Sequence, residues 1–502
     1  MDPGFRRDDE IRENMISLYN TLTRSKDPFT PIKPGVVGLY VCGPTVYDRA
    51  SIGTLRSYIF ADTLRRLLEA ESYKVTHVMN ITDVGHLVGD GDEGEDKLEK
   101  GSRREGKTAW DIAKQYTDLF VADLGKLNIE LPHVMPRATD HIAEQIAMIQ
   151  AIEEKGLAYR ISDGIYFDTA KLLSYGRLSR QALAEKEEGA RIGVNEEKRS
   201  ASDFALWKLS DVATCHPDRL VAGPEGELSS TEGSFLSSGS HAKRQMEWES
   251  PWGVGFPGWH IECSAMSEKY LGVPFDIHTG GIDHIAVHHE NELAQTDAAR
   301  GCLEANVWMH NEFLLVDGGR MGKSLGNTYS LDDLAEKGIS ARAFRLFLLG
   351  AHYRTNMNFT FEAALASQNA INTLIDTVRE WAKPLDADEA SMTAFMDCVR
   401  DDVNIPAALA IFWGVVHNET MPPGIKSATV LKMDEVLGLA LEDVVARPIK
   451  ITDEAQKLLD ERARARLAKE WKKSDEIRDA LAEMGYVVED TGGGQRVREG
   501  RG

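Results

Sequence analysis

The chain has 502 residues, 42% hydrophobic and 27% charged, which excludes a disordered chain and is too much for one ordinary core, so two to four domains are expected. Its net charge of −22, from 58 basic against 80 acidic residues, excludes a general nucleic-acid binder but leaves room for a local basic surface. Five scattered cysteines exclude a disulfide framework and point to a reducing cytoplasm, and the longest apolar run, Ile405 to Val416, is too short to span a membrane.

The first 14 residues are charged and lack the apolar stretch of a signal peptide, so they read as an extension, with either Met1 or Met15 as the start. GLYVCG, Gly38 to Gly43, predicts a buried strand ending in a glycine turn, and Pro44 to Ser51 a loop. Leu55, Tyr58, Ile59, Leu64, Leu67 and Leu68 fall at helical spacing, and Lys74 to Thr82 reads as a second strand. Strand, helix and strand in so short a stretch form a βαβ unit, hence a parallel sheet with a nucleotide site at its strand C-termini.

Gly89 to Gly106 is rich in glycine and charge and predicts a loop, and Thr108 to Gly156 is helical in pattern. Ser210 to Ser250 shifts to Gly, Ser and Pro and reads as a flexible insertion. Beyond Leu331 the pattern is helical over Ile339 to Leu349, Ala363 to Trp381, Met392 to Val416 and Asp453 to Met484, with a small hairpin at the end.

Two groups of residues carry chemistry. Six of the 14 histidines lie between His260 and His310, in a stretch that also holds Cys263. On the predicted helix VHHENELAQ, His288 and Glu292 are four residues apart and share a face, while Cys42 sits where the first strand ends. Thiolate, imidazole and carboxylate are zinc donors, but the spacing matches no zinc-ribbon signature, so buried free thiols and a surface histidine pair stay open on spacing alone. The second group is GGRMGKSLGN, Gly318 to Asn327, where close glycines admit an anion and Lys323 offers a mobile charge. It lacks Walker A spacing, and any lysine-bearing surface turn has the same look.

In order along the chain stand LYNTLTR (Leu18 to Arg24), LYVCGPTVYD (Leu39 to Asp48), NITD (Asn80 to Asp83), DFALWK (Asp203 to Lys208), GWHIECSAM (Gly258 to Met266), DIHTGG (Asp276 to Gly281), HHENELAQ (His288 to Gln295) and MGKSLGN (Met321 to Asn327). With these segments the chain resembles cysteinyl-tRNA synthetases from about Leu18 to Arg498. The resemblance implies an α/β class I synthetase fold: a Rossmann-type parallel sheet split by a connective insertion, then a helical bundle and a small C-terminal α+β tRNA-binding domain. The implied division is an extension over 1–14, the first Rossmann half over 15–140, a connective insertion over 141–209 and the Gly/Ser-rich insertion over 210–250. The second Rossmann half follows over 251–335, then a stem-contact region over 336–365, a helical bundle over 366–450 and an anticodon-binding domain over 451–502.

The resemblance also implies residue roles. One zinc ion falls to Cys42, Cys263, His288 and Glu292, the substrate cysteine to Thr82, Trp259 and His278, and ATP with Mg2+ to Gly43, Pro44, Gly53, Arg320 and Lys323. Zinc answers a selection problem, because an apolar pocket separates near-isosteres such as cysteine and serine by only about 1–3 kcal/mol. Lys323 matches the second lysine of the family's KMSKS loop, while Arg320 and Gly322 replace its first lysine and first serine. Where the family's HIGH signature belongs, this chain has Ser51-Ile52-Gly53-Thr54. Losing both histidines there costs about 1–2 kcal/mol per position, or about 5- to 30-fold in rate, a loss that His86 or Arg56 is expected to offset.

The basic cluster Arg462, Arg464, Arg466, Lys469, Lys472 and Lys473 reads, with the resemblance, as a tRNA contact, whereas its charges alone describe a solvated helix face. The implied activity is ligation of cysteine to tRNA(Cys) by a cytoplasmic monomer without membrane association. Two rival readings start from the same residues: a cysteine ligase acting on a small amine, opposed by the helices after Ala363, and a non-catalytic synthetase-derived binding protein, opposed by the intact zinc donors and Lys323.

Overall fold

The computed structural model describes residues 15–85, 97–180, 196–210, 244–447, 449–491 and 494–499. The 1–14 extension, His86 and most of the Gly/Ser-rich insertion, with Cys215 and His216, lie outside the described residues. Two compact units result, Met1–Leu331 with Tyr353–Asn358, and Asp332–His352 with Phe359–Gly502.

The first unit is built on a parallel sheet. Strand β3 (Val36–Val41) leads through helix α1 (Ile52–Ala70) to β4 (Lys74–Met79), the βαβ unit read from the sequence. Strands β9 (Phe275–Gly281) and β10 (Ala305–Asn311) complete the order β10-β9-β3-β4, with Tyr40 opposite His278 and Val41 opposite Thr279. Successive crossovers leave β3 in opposite directions, so the carboxyl ends of β3 and β9 border the crevice where a doubly wound sheet places its ligands. Between the two halves in chain order comes a separate antiparallel sheet, β5 (Ala158–Ile161), β6 (Gly164–Phe167), β7 (Ala205–Leu209) and β8 (Gly255–Pro257). Phe167, Leu206, Trp207 and Ile261 are buried in the core beneath it.

Three predicted segments differ in the structure. Lys97–Glu105, expected as loop, is helix α2, because Leu98 is buried and Gly101 packs closely on Ile112 of helix α3 (Ala109–Lys126) while the charges face outward. Thr108 to Gly156 is two helices, α3 and α4 (Ile142–Glu154), with Val134 and Arg137 bridging to Val78 and Ile81 at the sheet edge between them. Met392 to Val416 is likewise two, Glu389–Arg400 and Ile405–His417. The chain breaks where Asp402 and Val403 take positive φ and Asn404 caps the second helix.

The second unit is mostly helical and ends in the predicted hairpin, Tyr486–Thr491 paired with Gly494–Glu499. Asp453 to Met484 divides into Asp453–Leu467 and Trp471–Glu483, with Lys469 at φ +59° between them. Arg498 of the hairpin meets Asp376 at 2.7 Å. No helix of the described residues is long and apolar enough to cross a membrane.

Candidate active site and metal centre

Cys42 follows the last residue of β3, next to Gly43, where a Cβ would lie 1.5 Å from the Asn80 carbonyl oxygen. Only glycine fits there, and its N–H donates to Asn80 Oδ1 at 2.8 Å. Helix α5 (Trp259–Leu271) carries Cys263 on its buried face, and α6 (His288–Arg300) presents His288 and Glu292 from consecutive turns. The Glu290 carboxylate accepts the backbone N–H groups of Gly176, Leu178 and Ser179 at 2.6–3.0 Å and so anchors the first turn of α6.

These elements bring Cys42, Cys263, His288 and Glu292 together, with one donor atom from each lying within 4.8 Å of the other three. A tetrahedral ion with bonds of about 2.3 Å to sulfur and about 2.0–2.2 Å to nitrogen or oxygen holds its donors about 3.8 Å apart for S···S and about 3.5–3.6 Å for S···N or S···O. Cys42 Sγ lies 3.8 Å from Cys263 Sγ and 3.6 Å from Glu292 Oε1, and Cys263 Sγ lies 3.6 Å from His288 Nε2. Three donor edges therefore have the lengths that zinc requires. Another of the six edges, His288 Nε2 to Glu292 Oε1, is shorter at 2.8 Å, a hydrogen bond.

The electrostatics fit the same cation. All four residues are buried. Burial pushes the Cys42 thiol well up, with Cys263 and Glu292 adding to it. Burial opposes the His288 imidazolium, but Glu292 and Cys263 outweigh it and raise its pKa to about 10. A cluster that retains a proton so firmly is one in which positive charge is stabilised. Behind the donors, His260 Nδ1 meets His288 Nδ1 at 2.8 Å and His278 Nε2 meets Glu292 Oε2 at 2.8 Å, the outer contacts that fix the orientation of metal ligands. Cys42 and Glu292 also join His278 and His289 in a second, overlapping donor set.

Above the donors opens a cavity of about 650 Å³. Cys42, Gly43, Pro44, Ser51, Gly53, Thr54, Thr82, Trp259, Cys263, His288, Arg320 and Lys323 all line it. Trp259 packs on the His288 ring at 4.3 Å, and Lys323 Nζ contacts Asp48 Oδ2 at 2.6 Å and the Tyr47 ring centroid at 4.4 Å. Burial alone would raise Asp48, but Lys323, with the Arg49 backbone N–H and the Arg104 charge, outweighs it and holds the carboxyl below its ordinary value. Ser51 caps α1, its Oγ accepting the Thr54 N–H at 3.2 Å and lying 3.0 Å from Thr54 Oγ1.

Three groups of expected site residues sit elsewhere than at the cavity surface. His278 is fully buried behind Glu292, stacked on Trp308, and does not line the cavity. Arg56 donates to the carbonyls of Phe313 and Thr355 at 2.6 Å each and is turned away from the cavity. In the basic cluster Arg462 is 1% exposed and bonds both oxygens of Asp490 at 2.9 Å. Arg466 shares Asp490 and Lys473 pairs with Glu461, whereas Lys472 is 94% exposed. Tyr47, Lys97 and His284 line the cavity without having been singled out by sequence; Tyr47 stands inside TVYD, which was the available signal.

The fold is that of a class I aminoacyl-tRNA synthetase. The family model for the class I (C) tRNA synthetase catalytic domain matches residues 28–218 and 232–369, and that for the cysteinyl-tRNA ligase anticodon binding domain matches 450–498. The chain is 48% identical to Cysteine–tRNA ligase 1 of Burkholderia lata, over 96% of each chain. It is 39% identical to the cysteine–tRNA ligase of Treponema denticola, over 95% of this chain and 98% of that one. Among solved structures, the LeuRS of Agrobacterium radiobacter K84 in its tRNA–LeuAMS ternary complex shares the fold at a TM-score of 0.52 and 13% identity, covering 88% of each chain. This chain belongs to the cysteine–tRNA ligase family.

Proposed function

We propose that the protein activates L-cysteine with Mg2+-bound ATP, releases pyrophosphate, and transfers the cysteine to the 3′-terminal adenosine of tRNA(Cys). The observation that carries this reading is the meeting of Cys42, Cys263, His288 and Glu292 at the cavity floor, with three donor edges of zinc length. When bound there, zinc supplies a contact that takes a thiolate far better than a hydroxyl.

The remaining work falls to the chain's own groups. Cys42, Cys263, His288 and Glu292 hold the ion, and Trp259 and Thr82 form the wall beside it where the amino acid is positioned. Gly43, Pro44 and Gly53 admit the nucleotide against the backbone. Lys323 leaves Asp48 to neutralise charge on the phosphates, with Arg320 beside it on the same loop. His278 acts through Glu292, as a positioning residue. The exposed Lys472 and the neighbouring Trp471, 56% exposed, suit an RNA contact, and Arg462 holds the hairpin of that region. We keep the domain boundaries expected from the sequence as part of this reading, and assign the protein to the cytoplasm as a monomer.

Cysteine-dependent ATP–pyrophosphate exchange, followed by charging of tRNA(Cys), tests the proposal. Exchange without charging sinks the tRNA ligase reading in favour of a small-amine ligase. The absence of both leaves a binding protein.

A further inference from the structure

A triphosphate entering the cavity meets a helix end without charge. Ser51 and Thr54 bond each other, and the Ile52 N–H is already donated to the Tyr329 carbonyl at 2.8 Å. Among the described residues, the cationic side chains lining the cavity are Arg49, Lys97, Arg320 and Lys323, besides its histidines. Arg49 is held by both oxygens of Asp123 at 3.0 and 3.1 Å, and Lys323 by Asp48 at 2.6 Å. Arg320 lies over the Phe313 ring at 5.0 Å, on the loop that carries Lys323.

Lys97 is placed differently. Its Nζ lies 5.5 Å from the Trp259 ring centroid and 5.8 Å from that of Tyr47. Trp259 rests on the metal donor His288, and Tyr47 carries Lys323 on its ring. Lys97 thus stands at the seam between the amino-acid floor and the phosphate loop, where a carboxylate and an α-phosphate have to meet. It has no ion-pair partner among the described residues.

We propose that Lys97 binds the α-phosphate of ATP and the attacking cysteine carboxylate, supplying the positive charge that the first turn of α1 lacks. The inference rests on the ligase reading above. In the step it serves, a carboxylate oxygen bonds to the α-phosphorus, the bond from that phosphorus to the bridging oxygen breaks, and pyrophosphate departs with the electron pair. No proton or oxidant is required. The charge that moves across the α-phosphate is what a fixed ammonium stabilises.

The test compares the full-length wild type with K97M, K97Q and K97R in cysteine-dependent pyrophosphate exchange at varied ATP. Losing a charge-assisted contact predicts that K97M and K97Q lose about 10- to 100-fold in kcat/KM for ATP, mostly in kcat, while K97R stays within about fivefold. T54H added to K97M is expected to recover part of the loss, because it returns a cation to the same phosphates. Wild-type kcat/KM in either neutral variant, or K97R as impaired as K97M, overturns the inference. Wild type without cysteine-dependent exchange sinks the ligase reading instead. Lys97 is then judged by Mg2+–ATP binding in calorimetry, where equal affinity of wild type and K97M overturns it and weaker binding by K97M upholds it.

Discussion

The Sγ atoms of Cys42 and Cys263 lie 3.8 Å apart although 221 residues separate them in sequence. One thiol ends a parallel strand and the other sits on the second turn of α5, so the separation is set by the pairing of β3 with β9 and by the packing of α5 beneath the crevice. Two buried thiols at this distance, with an imidazole and a carboxylate closing the set, form a group that could hold one metal ion.

Purified protein is therefore expected to contain one zinc per chain by elemental analysis, and C263S to contain almost none. H278A keeps all four donors but loses the hydrogen bond that orients Glu292. Outer-contact losses of this kind cost about 10- to 100-fold in metal affinity, so H278A should bind zinc measurably but more weakly. Equal affinity in H278A and wild type, measured by competition with a chelator, removes His278 from a positioning role.

Acid stability should depend on His77. This β4 residue is 1% exposed, and burial, assisted by Arg65, lowers its pKa to about 3. The unfolded chain protonates the same ring near pH 6.5, so the unfolded state binds more protons between the two values. Stability is complete above about pH 6.5, declines as pH falls, and levels off below about pH 3. From pH 7 to pH 5 this one group removes about 2 kcal/mol. Urea midpoints of H77L should fall less over that interval than those of wild type, and parallel declines would show that other groups set the acid limit.

Within the basic cluster, R462A and K472A should fail differently. Arg462 is buried and bonded to Asp490 and Gln495, and its loss is expected to destabilise the C-terminal hairpin region by about 1–3 kcal/mol, Asp490 being partly exposed. Among the described residues Lys472 pairs with Glu476 alone, at 4.0 Å, so K472A should melt like wild type yet bind tRNA more weakly, with a shallower salt dependence. Hairpin stability is read by thermal unfolding and tRNA affinity by filter binding across salt concentrations.

The sequence made the βαβ unit plain because β3 is a near-continuous apolar run, β4 carries the valines Val75 and Val78, and α1 keeps helical spacing from Leu55 to Leu68. It also offered Cys42, Cys263, His288 and Glu292 as donors, but only tertiary pairing could bring Cys42 to the other three. Breaks at Asp402 and Lys469 were hidden, since positive φ at a non-glycine residue has no compositional mark. Arg462 was misread for a related reason: charge counts cannot tell a solvated arginine from one whose carboxylate partner arrives 28 residues later. His278 was placed against substrate by the resemblance, and nothing in the spacing of DIHTGG marks that its ring is buried against Glu292 and Trp308.

The antiparallel sheet separates the two halves of the parallel one, and the four donors straddle it, one from before and three from after. A bound ion is then a staple between halves that the chain itself joins only through a long detour. Its affinity becomes cohesion of the whole first unit, and a chelator that merely strips the ion should also loosen the seam between β3 and β9.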